Sequence, residues 1–471
     1  MRKFDTKVQH LRNKVLREVA RSEWNDSLEK DLLSIPEKII PGKTPLSRCC
    51  VYKERAILAE NEKMAMGGNP QNPNIIEVMG LACDECPQGG YQVTDSCRGC
   101  LAHRCVDSCA KKAIIIDSEQ KAHIDKSKCI NCGLCAKNCP FSAITDYKRP
   151  CENACKLKAI SADKETHAAS IDYEKCNECG ACEYQCPFGA IADKSFILDV
   201  VRLIKKSNNN ENYHVYAVVA PSIASQFKYA QPGQVYSGIR QLGFFDIKEV
   251  ALGADIVGKQ EAKELAEKGI LLSSCCPSFV RFVKTNFPQM AKYISSTLTP
   301  AATIGKLIKE KDEKAKVVFI GPCTSKKSEI KLYEEPYIDI VITFEELQAL
   351  FHSKDMDITT LEPERLTDAS AFGRNFAFSG GVTAAIEQAI KEQELPITLK
   401  PLPCNGIEEC KIALLRMQKG LLDVNFIEGM ACVDGCIGGA GNLTHNLKNK
   451  LDILKDSVSA HKTIADAIDK I

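Results

Sequence analysis

The sequence predicts an α/β domain of two lobes wrapped around a cysteine site, preceded by a small α+β cysteine-rich domain and a helical N-terminal segment. Three observations carry this. From about Tyr213 onward, buried apolar runs such as Val215-Tyr216-Ala217-Val218-Val219 alternate with helical stretches through Thr343-Phe344-Glu345-Glu346-Leu347, the pattern of α/β lobes. Three cysteine-bearing stretches each follow an apolar run that reads as a strand. Ser274-Cys275-Cys276-Pro277 follows Ile270-Leu271-Leu272, and Gly321-Pro322-Cys323-Thr324-Ser325-Lys326-Lys327 follows Val317-Val318-Phe319-Ile320. Met430-Ala431-Cys432-Val433-Asp434-Gly435-Cys436 follows Val424-Asn425-Phe426-Ile427. Open α/β folds seat ligands just past the carboxyl ends of their strands. Finally, the chain writes Cys, three residues, Ala-Ile four times, beginning at Cys109, Cys139, Cys155 and Cys186.

In chain order, residues 1–75 read as a helical segment and linker. Leu11, Val15, Leu16 and Val19 recur at helical spacing, Pro36, Pro41 and Gly42 break the pattern, and a second helix is expected from about Val51 to Met66. Gly67-Gly68-Asn69-Pro70-Gln71-Asn72-Pro73 reads as the linker. Met1-Arg2-Lys3-Phe4-Asp5 leads into no apolar run, so no signal peptide is expected. No stretch approaches the ~18 apolar residues of a membrane span. A soluble, cytoplasmic protein is the expectation. With 62 Lys+Arg against 61 Asp+Glu, net charge points to neither nucleic acid nor an anionic membrane. Twenty-five cysteines in such a chain suggest metal rather than disulfides, because the cytosol keeps thiols reduced.

Residues 76–200 hold the repeat. Cys129, Cys132, Cys135, Cys139-Pro140 and Cys176, Cys179, Cys182, Cys186-Pro187 each match the bacterial four-iron pattern, in which the fourth cysteine ligates the other cluster of a pair. Zinc ligands rarely come as such a run. A bacterial-ferredoxin-like, α+β iron–sulfur domain is therefore expected. Cys97, Cys100, Cys105 and Cys109 form a first unit, with extra residues before its third cysteine and Ala110 in place of proline. Pairing the units gives one cluster on Cys97, Cys100, Cys105 and Cys139, and another on Cys129, Cys132, Cys135 and Cys109. Cys155 completes a third with Cys176, Cys179 and Cys182. A fourth is inferred on Cys83, Cys86, Cys151 and Cys186. The competing account joins Cys83 and Cys86 to Cys49 and Cys50, which otherwise read as free thiols. Such a set makes an electron wire to a one-electron carrier such as a soluble ferredoxin.

In residues 210–471 the cysteines Cys276, Cys323, Cys432 and Cys436 fit a cubane, and Pro277 suits the first turn of a helix facing it. The three stretches, in this order, resemble the signature motifs of the FeFe-hydrogenases, and the resemblance runs from about Cys83 to Gly441. Ala220-Pro221-Ser222 and Gly253-Ala254-Asp255 also resemble that family's catalytic domain. The resemblance implies that the four cysteines hold the cubane of an H-cluster. Cys436 would bridge to a two-iron subcluster carrying carbon monoxide, cyanide and an amine-containing dithiolate. It further implies that Lys326 hydrogen-bonds a cyanide, that Met430 lines the site, and that Cys275 exchanges a proton with the amine. Glu261, Ser295 and Glu264 fall on the family's proton relay, and maturation proteins for the two-iron unit are implied. Lys327 is expected at the surface.

Gly321 and Ala301 stand where methionine and glutamine are usual, Ser273-Ser274 replaces Thr-Ser, and Val433-Asp434 and Ala440 interrupt a glycine-rich run. These changes strip bulk and a hydrogen bond from the pocket and resemble the group B enzymes. Cys404 and Cys410 read as buried thiols, and His103 and His123 as surface residues. Competing readings are a Nar1-type iron–sulfur scaffold without hydrogenase activity, and an electron-transfer module with an inert catalytic domain.

Overall fold

The computed structural model describes residues 3–87, 89–163, 165–332, 336–446 and 448–469. The first helix, Lys7–Trp24, begins at a capping box between Thr6 and Gln9. Of the residues at helical spacing it buries Val15, Leu16 and Val19, with Leu11 half-buried against them, in a core shared with Leu347, Leu350 and Phe351 of the helix Phe344–Ser353. The helix Val51–Ala65 packs beside it. The N-terminal helices are thus built onto the downstream α/β core.

Eight short strands follow: β1 (Ile76–Val78), β2 (Gly90–Val93), β3 (Ile114–Ile116), β4 (Ala122–Ile124), β5 (Ile144–Tyr147), β6 (Ile160–Ala162), β7 (Ala169–Ile171) and β8 (Ile191–Asp193). Their pairing is nested. β2 pairs antiparallel with β5 and β3 with β4, while β6 pairs with β7 and β1 reaches across to β8. Two separate cores result. Ile114, Ala122, Cys135 and Ile144 pack together in the inner unit, and Ile76, Cys83, Cys151, Ile160, Ile171, Cys182, Cys186 and Ile191 in the outer one. The inner unit is inserted between Cys86 and Cys151, and the Gly90↔Tyr147 pair brings the ends of the insert side by side.

This layout explains the repeat. In each Cys-x-x-x-Ala unit the alanine N–H donates to the cysteine Sγ, at 3.3 Å for Ala113, 3.4 Å for Ala143, 3.2 Å for Ala159 and 3.3 Å for Ala190. The residue just before each alanine turns the chain with positive φ: Lys112, Ser142, Lys158 and Gly189. Small alanine lets that N–H reach the sulfur, and the following isoleucine enters the strand.

From residue 215 the chain is parallel α/β. β9 (Val215–Val219), β10 (Asp246–Glu249), β12 (Lys316–Gly321) and β13 (Ile340–Thr343) form one sheet in the order β10-β9-β12-β13. β11 (Leu271–Leu272), β14 (Pro401–Asn405) and β15 (Phe426–Met430) form a second, in the order β11-β15-β14. All pairs within these two sheets are parallel, so their carboxyl ends share a direction within each sheet. Among the described residues no helix is long and apolar enough to cross a membrane.

Candidate metal centre

The cysteines of the α/β part sit past strand ends drawn from both sheets. Cys276 caps the helix Pro277–Asn286 after β11, and Pro277 takes its first turn. Cys323 follows β12, and Cys432 and Cys436 flank a tight turn after β15 in which Asp434 and Gly435 both have positive φ. The Gly441 N–H donates to the Pro322 carbonyl at 2.9 Å, tying the last loop to that of Cys323. Burial, and then the neighbouring Cys323 and Cys276, push the Cys436 thiol up to about 12, and Cys432 rises well above its ordinary value for the same reasons. Such thiols stay neutral unless a metal replaces their protons, and coordination deprotonates a thiol outright. Four soft sulfurs converging from three strand ends fit an iron–sulfur cubane. Among the described residues no three donors stand close enough to share one ion.

The accessory cysteines gather in groups whose members act electrostatically on one another. Cys105 lies with Cys100 and Cys139, and Cys135 with Cys129 and Cys109. Cys182 lies with Cys179, Cys176 and Cys155, and Cys151 with Cys186 and Cys86, which in turn neighbours Cys83. Cys97 joins the inner core beside Cys105 and Cys139, and Cys132 lies between Cys129 and Cys135 in their loop. Cys49 and Cys50 lie 4.0 Å apart, sulfur to sulfur, with Cys49 exposed.

The third group adjoins the α/β site. Asn177 and Ser278 exchange hydrogen bonds of 3.2 and 3.0 Å, and the Thr324 hydroxyl donates to the Glu178 carbonyl at 2.8 Å. Gly180, at φ +74, meets Ala440 and Thr324 so closely that any side chain would strike both. Cys179 consequently acts on Cys432, and Cys276 on Cys179.

Beside Cys276, Cys275 is raised well above its ordinary pKa by burial and by Glu261. Glu261 is fully buried on the helix Val250–Lys268, and burial raises it to about 7 although the Ser274 N–H donates to Oε1 at 3.2 Å. Its Oε2 has no hydrogen-bond partner. Thr297 Oγ1 stands 3.4 Å from Glu261 Oε1 and 2.8 Å from Ser295 Oγ, which donates to Glu264 Oε2 at 2.8 Å. Glu264 pairs with the half-exposed Lys268. Against burial, Lys268 and the Ser296 N–H hold Glu264 below its usual range. A chain of neighbouring polar groups thus runs from Glu261 through Thr297, Ser295 and Glu264 to Lys268, with Cys275 within electrostatic reach of its inner end. Sequence reasoning missed Thr297 and Lys268. Lys268 follows Glu264 by one helical turn, a usable signal, whereas nothing local marks Thr297.

Lys326 is nearly buried, pairs with Glu329 and lowers the pKa of both Cys276 and Cys436 against burial. Met430 ends β15, buried. Lys327 corrects the sequence expectation of a surface residue. It is fully buried, 2.6 Å from Asp193 and 2.8 Å from Glu346, and Asp193 is shared with Arg12. Against burial, Arg12 and Lys327 hold Asp193 well below the usual carboxylate range. This network joins β8, the first helix and the Cys323 loop. At Gly321 the ring of Phe319 lies 2.4 Å from where a Cβ would stand, refilling the space on that side. Cys404 and Cys410 are buried together, as expected of structural thiols. His123 is exposed, while His103 is half-buried with an unpartnered Nε2, a departure from the surface expectation.

Fold and cysteine groups fit an iron–sulfur protein. Residues 213–440 match the family described as iron only hydrogenase large subunit, C-terminal domain, and residues 122–145 and 169–192 match the 4Fe-4S binding domain. Over residues 213–440 the chain is that of the FeFe-hydrogenase family. Iron hydrogenase 1 of Clostridium pasteurianum is 28% identical over 404 residues, covering 73% of this chain and 69% of that protein. The periplasmic [Fe] hydrogenase large subunit of Nitratidesulfovibrio vulgaris is 26% identical, covering 68% and 85%. The cytosolic Fe-S cluster assembly factor narfl of Xenopus tropicalis is 22% identical, covering 44% and 53%.

Proposed function

We propose that the chain interconverts dihydrogen with protons and electrons, at an H-cluster whose cubane is held by Cys276, Cys323, Cys432 and Cys436. The observation that carries this is the row of polar groups from Glu261 to Lys268, whose inner end stands within electrostatic reach of Cys275 beside the four-cysteine group. When bound, the two-iron unit supplies the open iron site for heterolytic H2 chemistry, and the cubanes supply electron transfer. The protein supplies the rest. Cys275, kept protonated by burial, gives or takes the proton at its sulfur. Glu261, with a pKa of about 7, is poised to carry it near neutral pH. When Glu261 is ionised Thr297 donates to it; when Glu261 is protonated the Thr297 hydroxyl is free to accept from it and donate to Ser295, which donates to Glu264, so the two hydroxyls bridge the carboxylates. Glu264 delivers it to the surface beside Lys268. Lys326 supplies a positive charge toward an anionic diatomic ligand, and Met430 packs against the same site.

On this reading the sixteen accessory cysteines hold four cubanes. Cys97, Cys100, Cys105 and Cys139 hold one, and Cys129, Cys132, Cys135 and Cys109 the next. Cys155, Cys176, Cys179 and Cys182 hold the third and Cys83, Cys86, Cys151 and Cys186 the last. The carrier is a soluble ferredoxin or similar protein, the two-iron unit comes from maturation proteins, and the departures at Gly321 and Ala301 suit the group B type.

The scaffold reading has support in the likeness to the assembly factor, but a scaffold has no use for a proton exit. The test is infrared spectroscopy of anaerobically matured protein in the region of metal-bound carbon monoxide and cyanide. Bands that shift under dihydrogen are expected. Cubane signals without such bands, from a maturation system that works on a known hydrogenase, would leave the scaffold.

A further inference from the structure

Arg149 is a charged side chain in an unusual position. It is fully buried, Nε donates to the Pro87 carbonyl at 3.1 Å and Nη2 lies 3.5 Å from the Cys86 carbonyl. Nη1 is buried with no hydrogen-bond partner, and among the described residues the guanidinium makes no ion pair. Glu152, the carboxylate that acts on Cys86 and Cys151, is not paired with it. Arg12 and Arg48, two other arginines with largely buried side chains near the cysteine groups, are both met by carboxylates. Burying a cation without a counter-charge is strongly unfavourable, so a fold that keeps Arg149 dry implies an anion beside it. The groups it adjoins are Cys86 and, two residues along the chain, Cys151. Four thiolates around a four-iron core of charge +2 carry a net charge of about −2.

We propose that Arg149 is the counter-ion of a cubane on Cys83, Cys86, Cys151 and Cys186 and raises that cluster's reduction potential. The inference rests on the four-cluster reading above. One-electron reduction takes the cluster from about −2 to about −3, and a fixed cation favours the more negative state. The electron comes from dihydrogen and passes on to the external carrier, or comes from the reduced carrier and passes on to protons. This cluster is then a resting place for an electron between the inner unit and the site at Cys276.

The experiment uses the full matured chain, with iron content and potentiometric titration of the cluster signals by electron paramagnetic resonance, so neither readout depends on hydrogen turnover. In R149Q with full iron, the reduced-to-oxidised ratio of one cluster at the wild-type midpoint should fall at least about tenfold, which is 59 mV for one electron. R149K, which keeps the charge, should stay within about threefold of wild type. Loss of four irons per chain in R149Q but not in R149K would support the same role more strongly. Unchanged midpoints in R149Q with full iron, or equal cluster loss in both variants, would overturn it. Wild-type iron in C86S and C151S would instead remove the cluster itself, a separate failure of the underlying reading.

Discussion

Glu261 is where function and stability pull in opposite directions. Its carboxyl is fully buried with Oε2 unpartnered, and burial raises its pKa from 4.5 to about 7. The folded state therefore holds a proton that the unfolded chain has lost between pH 4.5 and 7. Stability drains away across that window as pH rises, and above it the full deficit, about 3 kcal/mol, persists. Glu261→Gln keeps an acceptor for the Ser274 N–H and Thr297 hydroxyl but cannot ionise. Measured by anaerobic thermal unfolding, the variant should match wild type near pH 4.5 and exceed it above pH 7. For a catalytic unit of this size the gain is roughly 6–12 °C. Hydrogen turnover should fall by about 10²–10³, because the variant cannot relay a proton from Cys275. A variant no more stabilised at pH 8 than at pH 5 would refute the buried, protonated carboxyl, whatever its activity.

Two other outcomes follow from the geometry. Thr297→Val removes the hydroxyl bridging Glu261 and Ser295 at nearly constant volume. Losing roughly 1 kcal/mol of hydrogen bonding in the relay should slow turnover about 5–10-fold and enlarge the solvent deuterium isotope effect, with Thr297→Ser restoring both; an unchanged isotope effect in the valine variant would take Thr297 out of the path. Lys327→Met strands the buried Glu346 and leaves Asp193 to Arg12 alone, and should cost about 3–5 kcal/mol, seen as lowered melting and reduced soluble yield. Wild-type melting would mean that Arg12 alone neutralises the network.

Much of this was readable in the chain. The apolar runs before Cys275, Cys323 and Cys432 are the strands β11, β12 and β15. The Cys-x-x-x-Ala repeat is a sulfur–amide hydrogen bond made four times over. These features are local, fixed by residues within one turn of each other. What escaped was non-local. Lys327 looked like a surface lysine because its partners, Asp193 and Glu346, lie elsewhere in the chain. Thr297 matters only because the segment after Tyr293 lies along the helix that carries Glu261 and Glu264. Gly321 looked like lost bulk until Phe319, two residues upstream on the same strand face, came into view.

The insertion of one cysteine-rich unit inside another also sets a timetable. Cys83 and Cys86 leave the ribosome some 100 residues ahead of Cys186, a delay of roughly 5–20 s at about 5–20 residues per second. Until Cys151 and then Cys186 follow, the proposed group is incomplete, and an unrestrained intervening chain would let its two ends wander apart. Closing β2 on β5 shortens the tether, because Gly90 and Tyr147 end up as neighbours and Cys151 is delivered back to Cys86. The inner unit is in this sense a clasp: on the four-cluster reading, iron supplied before it shuts would meet only half of that site.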